Sequence, residues 1–276
     1  MNSTTIKSLN AIVSGKLNSN LGKTLMTTET YPLYYRMITK CGCTFIMNIL
    51  YYLNYGYVNL DPFAVHDKSH IIPKATLATN EAIANSPYSF VVIRDPVARF
   101  MSLYFDKLYG QSRPSEKFSL GTYFIENGLI KPNADNNVTL HRENCISSIK
   151  WIKKNLSGQT DQEVNWHWKP QKFRLNQVYQ LHFNVLMLED ITFQLTNTLK
   201  PLVPHIEDVI RNVSAQNISK KPVQTEDVLN DELYELITNA YPDDMRIHRE
   251  VSKCWSVLKE AKQWPEYQTS VMLSAG

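Results

Sequence analysis

The chain has 276 residues, 43% hydrophobic and 20% charged, which is the composition of an ordinary globular protein and excludes a disordered or fibrous one. Its 29 Lys and Arg against 26 Asp and Glu give a net charge of +3, too mild for a nucleic-acid coat but compatible with a local basic cleft for a small polyanion. The longest apolar stretch, Cys43 to Leu53, is about half of the ~20 residues needed to span a bilayer, so no transmembrane segment is expected.

Residues 1–30 are polar and low in pattern and read as an irregular lead-in with room for one short helix. Leu33 to Thr39 reads as a buried strand and Lys40-Cys41-Gly42-Cys43-Thr44 as a tight turn. A helix follows, with Phe45, Ile46, Ile49, Leu50 and Leu53 on one face. Residues 55–87 are mixed, and Pro62 and Pro73 break any long element. Tyr88 to Ile93 is a second strand, running into Asp95-Pro96, an N-cap and a first-turn proline. The helix they start sets Val97, Phe100, Met101, Tyr104, Phe105 and Leu108 on one face and Arg99, Ser102 and Asp106 on the other. Residues 110–165 read as an inserted, substrate-side region with helices at Leu120 to Glu126 and Ile146 to Leu156. Asn184 to Leu188 is a third strand, and helices at about Glu226 to Ala240 and Asp243 to Lys262 finish the chain. Strands alternating with helices, without a linker or repeat, predict a single α/β domain over residues 1–276, its central sheet mainly parallel and of about four or five strands.

Two segments carry chemistry. At Lys40 to Thr44 a turn opens a helix, so free backbone N–H groups and the helix dipole point at one spot. Gly42 lets the backbone come close, Lys40 adds a point charge and Thr44 a hydroxyl. With Cys41 and Cys43 these form a phosphate cradle, or else only a glycine turn with an exposed lysine. In the second segment Arg94 leaves the end of a strand and Ser102 sits about two turns into the next helix. Both are expected to converge above the carboxyl edge of the sheet, where open α/β sheets bind ligands. A guanidinium suits phosphate because its planar fork makes paired charge-assisted bonds. The plainer alternative is a helix cap with a surface arginine.

Three histidines are candidates. His66, in Val65-His66-Asp67-Lys68-Ser69-His70, offers an imidazole that titrates near working pH and can take a hydroxyl proton, or else a structural loop hydrogen bond. A metal pair of His66 and His70 lacks a third ligand, so no metal is expected. His167, between Trp166 and Trp168, reads equally as a substrate contact and as a packed core residue. Lys169 belongs to a basic aromatic run, Trp166 to Arg174, that reads as a groove for an acidic glycan or as a solvated face. Cys41, Cys43, Cys145 and Cys254 form no CxxC pair and fit neither a disulfide framework nor a zinc site.

Taken together, the two segments resemble the sulfotransferases that use 3′-phosphoadenosine 5′-phosphosulfate (PAPS), most closely the Golgi carbohydrate branch. That branch carries a strand–PKxxCT–helix loop for the 5′-phosphosulfate, matched here at Lys40, Cys43 and Thr44, with Thr39 in the usual place of proline. It also carries RxPxxRxxSxYxxK for the 3′-phosphate, matched at Arg94, Pro96, Arg99, Ser102, Tyr104 and Lys107. Asn165 to Pro170 is similar to the family's NxHWxP stretch, and Val185 to Glu189 to its final core strand. The resemblance covers residues 33–190, more weakly on to Asp244. It implies a P-loop-like sulfotransferase fold, a central parallel sheet flanked by helices, and transfer of a sulfuryl group from PAPS to a hydroxyl, by resemblance of a carbohydrate. It implies that Lys40, Cys41, Gly42, Cys43 and Thr44 hold the 5′ end of the nucleotide, with Lys40 also catalytic, and that Arg94 and Ser102 hold the 3′-phosphate. The carbohydrate relatives carry a VHD-like segment between the two motifs, which implies His66 as the base, with His70, His167 and Lys169 toward the substrate.

Golgi relatives usually carry cysteines after the HW stretch, whereas Lys172 to Gln180 has none, which fits a reducing compartment. With no apolar core of signal-peptide length in Met1 to Lys16, the expected location is cytoplasmic. Two alternatives stay open. Leu17 to Thr24 ends like a Walker A loop, which would make the chain a nucleotide-dependent kinase or ATPase, although Leu17 stands where that motif needs glycine. A relative that binds nucleotide or glycan without catalysis is the other.

Overall fold

The computed structural model of the chain describes residues 25–61, 63–67, 72–75, 78, 80–109, 120–178, 183–214 and 221–261. Four short strands, β1 (Leu25–Thr27), β2 (Tyr34–Arg36), β3 (Ser89–Ile93) and β4 (Asn184–Met187), form one sheet in the order β1-β2-β3-β4. β2, β3 and β4 run parallel, as the alternation of elements predicts, while β1 pairs antiparallel with β2. Before the last strand come helices α1 (Cys43–Tyr55), α2 (Ala64–Asp67), α3 (Asn80–Asn85), α4 (Pro96–Leu103), α5 (Leu120–Glu126), α6 (Val138–Leu156) and α7 (Lys172–Val178). After it come α8 (Ile191–Leu199), α9 (Ile206–Ser214), α10 (Thr225–Val228), α11 (Asp231–Ala240) and α12 (Pro242–Ala261). The architecture is the mixed α/β one that the sequence implies. No helix among the described residues is long and apolar enough to cross a membrane.

β1 falls inside the stretch read as an irregular lead-in. Three residues carry no usable period, and the strand is defined by its neighbours instead. Leu25 faces Arg36 across the ladder, Thr27 Oγ1 donates to Leu33 O at 2.7 Å, and Ala75 N–H donates to Leu25 O at 3.1 Å on the other edge.

By internal packing the chain divides into two compact units, residues 1–93, 171–217 and 247–276, and residues 94–170 and 218–246. The first unit contains the sheet. Tyr35, Phe90, Val91, Val92 and Leu186 pack with Ile46, Ile49 and Leu50 of α1 and Val209, Ile210 and Val213 of α9. These are the α1 positions that the helical spacing singles out, and each fully buried side chain contributes about 1.5–3 kcal/mol. Trp255 of α12 is buried there too, its Nε1–H donating to Val185 O at 2.9 Å.

The second unit packs Val97, Phe100, Met101 and Tyr104 against Phe124 of α5, Ile149 and Ile152 of α6, Trp168, and Leu233 and Ile237 of α11. Two of its helices differ from expectation. α6 starts at Val138 rather than Ile146, capped by Asn137, whose Oδ1 accepts from Leu140 N–H at 3.0 Å. Its early turns bury His141, Asn144 and Ser148, polar residues that break the apolar period. The helix expected from Glu226 to Ala240 is instead α10 and α11. Asn230 caps α11 by accepting from Leu233 N–H at 2.9 Å, and Arg142 donates to the carbonyls of Asp227 and Val228, at 2.6 and 2.9 Å.

Polar anchors tie the 165–170 turn into this unit. Trp168 Nε1–H donates to Asn155 Oδ1 at 2.7 Å, and buried Tyr241 O–H donates to Trp168 O at 2.9 Å. Tyr241→Phe strands that carbonyl, and chemical denaturation is expected to read a loss of about 1–2 kcal/mol with little change in slope.

Candidate functional site

Beyond β2 the chain turns through Lys40, at φ 66°, and Gly42, at φ 72°, both left-handed, with Cys41 between them. Lys40 takes that conformation at a cost of roughly 1–2 kcal/mol, whereas glycine is at home there. Gly42 is also the N-cap of α1, so no side chain caps the helix, and no acidic residue occupies its first turn. The first intrahelical bond runs from Ile46 N–H to Gly42 O at 3.1 Å. The amides before Ile46 therefore have no acceptor within the helix. The N–H groups of Lys40, Cys43 and Thr44 face the Cys43 sulfur, and burial raises the thiol pKa against their pull and that of the Lys40 charge. Backbone amides and one lysine, with no carboxylate in the turn, fit a phosphate group. Space enforces the glycine as well, since a Cβ at position 42 would lie 2.5 Å from Leu188 Cδ1. Cys41 stabilises the turn from inside, its N–H donating to Ile38 O at 3.3 Å and its buried thiol to Gln171 Oε1 at 3.1 Å.

His66 lies on α2, in the same unit, and its Nε2 is 2.8 Å from Thr44 Oγ1. Candidates 22 positions apart in sequence are thus in hydrogen-bond contact at the start of α1. His70 and the stretch Leu17 to Thr24 lie outside the described residues.

Arg94, Ser102, His167 and Lys169 belong to the second unit. Arg94 follows β3 directly, and Asp95 caps α4 as expected, Oδ1 accepting from Ala98 N–H at 2.8 Å. Past Leu103 the helix widens into a π-turn, Tyr104–Leu108. Arg99 corrects the expected polar face. It is only 3% exposed, and its Nη2 donates to the carbonyls of His167 and Lys169 at 3.3 and 3.0 Å. Two carbonyls of the HW turn accept from one guanidinium nitrogen, so this motif arginine anchors that turn. His167 is half-buried, with its N–H and Nδ1 on Asn165 Oδ1 at 2.9 and 2.8 Å. Lys169 Nζ lies 4.4 Å from the centre of the exposed Trp166 ring.

The sequence reading passed over two features of this unit. Lys221 Nζ donates to Thr225 Oγ1 at 2.7 Å and lies 5.6 Å from the Phe105 ring centre, one turn from Ser102. Its pKa is lowered, first by desolvation and then by the charge of Arg94, with Glu226 opposing. A lysine in a polar stretch gives no signal of this until the fold sets it beside another cation. The second feature is His141, wholly buried, 2.9 Å from Tyr104 Oη through Nδ1 and 2.8 Å from Asp135 O through Nε2. A carbonyl only accepts, so Nε2 carries the proton.

Gly42→Ala tests the turn. The backbone strain costs about 1–2 kcal/mol, and a second cost comes from displacing Leu188. Adding Leu188→Ala is expected to give no recovery of the strain component, since it frees space without changing φ; a thermal melt series of the two variants and the pair separates them.

A sequence model described as the sulfotransferase family matches residues 23–248. No curated protein and no solved structure matches the chain. The family match spans the turn at the start of α1, the histidine that touches it and the helix after Arg94, and on that extent the chain belongs to the sulfotransferase family, whose enzymes transfer sulfuryl groups.

Proposed function

We propose that the chain moves the sulfuryl group of PAPS onto a hydroxyl of a carbohydrate, releasing 3′-phosphoadenosine 5′-phosphate (PAP). One observation carries the reading: the 2.8 Å contact between His66 Nε2 and Thr44 Oγ1 puts an imidazole against a turn fitted to phosphate. PAPS supplies an activated sulfur, joined through one bridging oxygen to the 5′-phosphate.

The turn amides and Lys40 bind the 5′-phosphate, and Lys40 meets the charge that builds on the bridging oxygen as its bond to sulfur breaks. His66 takes the proton of the acceptor hydroxyl as that oxygen bonds to sulfur. The acceptor replaces Thr44 as its hydrogen-bond partner and releases the Thr44 hydroxyl to the phosphosulfate. Arg94 and Ser102 bind the 3′-phosphate, which leaves Arg99 a supporting role. Lys169 and His167, on the HW turn, serve the acceptor. The likeness of Arg94 to Lys107 and of Asn165 to Pro170 to the Golgi carbohydrate enzymes supports a sugar as acceptor.

Labelled PAPS offered with a panel of polysaccharides and small alcohols tests the reaction: label on a sugar supports it, and label on no acceptor sinks it. His66→Ala is expected to fold, to bind PAP normally and to lose turnover by about 10²–10⁴-fold, the usual worth of a positioned base. His70→Ala is the control, and loss with it alone would move the base. At the other end of the nucleotide, PAP is expected to bind about tenfold to a hundredfold more tightly than adenosine 5′-phosphate, with Arg94→Ala erasing the difference. Calorimetry that finds equal affinities in the native chain removes Arg94 and Ser102 from the site.

A further inference from the structure

α1 ends at Tyr55 because Gly56, at φ 78°, takes a left-handed turn and donates its N–H to Tyr52 O at 2.7 Å. The reversal brings Tyr57 back edge-on to Tyr51, with ring centres 5.6 Å apart, while Tyr51 and Tyr55 are 4.6 Å apart. These rings are not core. Tyr55 is 44% and Tyr57 57% exposed, and farther along the same segment Leu60 is 96% and Phe63 52% exposed. The segment's own hydrogen bonds hold it in shape. Asp61 N–H donates to Asn59 Oδ1 at 3.2 Å, Phe63 N–H to Asp61 Oδ1 and Ala64 N–H to Asp61 O, both at 3.0 Å.

From Tyr57 the chain returns along α1, because α2 packs on that helix and His66 reaches Thr44 in its first turn. Thr44 and Tyr55 are about 16 Å apart along the axis at about 1.5 Å per residue. A run of exposed apolar side chains, half of them phenolic, thus leads from the far end of α1 to the imidazole at its start. Apolar side chains that face outward from a segment braced by its own hydrogen bonds mark a binding surface.

We infer that this strip is the acceptor track of the enzyme, and that it takes a neutral oligosaccharide, sugar rings lying on Tyr55, Tyr57 and Phe63 with one hydroxyl delivered to His66. This deepens the proposed function and rests on it for the role of His66. Phenol rings suit a partner with an apolar face and a hydroxyl edge, which is the character of a pyranose. The Tyr51 phenol, pushed up to about 12 first by its hydrogen bond with Tyr57, sets two hydroxyl groups together on the strip for such an edge. From Tyr51 to His66 the sequence has no Lys or Arg and one carboxylate, Asp61, so nothing in that stretch attracts a uronic acid or a sulfated sugar.

The test uses the full chain with two probes, neutral cellohexaose and acidic hexagalacturonate. Calorimetry without donor and initial rates with labelled PAPS are both measured. The proteins are the native chain, the Tyr55→Ala/Tyr57→Ala pair, Phe63→Ala, and Tyr234→Ala as an exposed ring elsewhere. Cellohexaose is expected to bind the native chain, to weaken by roughly three- to tenfold per ring removed, with the loss falling on KM rather than kcat, and to be unaffected in Tyr234→Ala. Saturation-transfer NMR of the native chain, in which irradiating aromatic ring protons must attenuate the cellohexaose signals, keeps the test valid if a variant misfolds. Ring-dependent binding with no sulfate transferred leaves the track standing and removes the proposed reaction. Transfer that the ring variants do not weaken leaves the reaction standing and overturns the track. Preference for hexagalacturonate, no binding of either probe, or a dimer that the ring variants abolish in a protein that ignores both probes, overturns it too.

Discussion

Between β2 and α1 the backbone must reverse within Lys40 to Thr44, and it does so with two left-handed residues around a buried cysteine. The reversal sets the direction of α1, and with it which of its side chains reach the sheet. It also leaves the helix without a side-chain cap, its first amides lacking an acceptor within the helix. Lys40 carries strain there that glycine would not. Leu188, just after β4, closes on Gly42 from the other side and leaves no room there for a side chain.

Both units combine an apolar core with buried polar groups. In the first, Asn184 of β4 donates to the carbonyls of Pro87 and Ser89, and buried Gln194 accepts from Met187 N–H. In the second, buried polar groups are threaded through the core: Asn155 holds Trp168, Tyr104 holds His141, and Arg99 holds two carbonyls. Such groups contribute little net free energy but penalise every alternative packing that leaves them unpaired. The result is a unit specified by its hydrogen bonds as much as by its apolar volume.

The placing of such polar groups also explains what was legible in the sequence. β2, β3, β4 and α1 were readable because continuous apolar runs and helical spacing map directly onto an aliphatic core. The beginning of α6 was not, since His141, Asn144 and Ser148 look like surface residues until their partners are in place. Arg99 failed for the same reason, its buried guanidinium depending on a turn some 70 positions away. At the site, the turn and Arg94 stood out because charge, glycine and helix start coincide locally. His66 stood out through its chemistry and the resemblance, but its contact with Thr44 had no sequence signature, and Lys221 had no local signature at all.

Neither unit is continuous in the chain. The first is assembled from three stretches and the second from two. β3 is complete at Ile93, but its partner β4 begins at Asn184, and the Trp255 side chain that bonds to Val185 comes later still. During synthesis, therefore, β3 emerges with one edge open and stays so while the residues of another unit are made. Parallel pairing over such a separation is slow, because loop closure must precede any gain from contact. Its strands are only three to five residues long, which gives the waiting edge little length for a wrong partner to exploit.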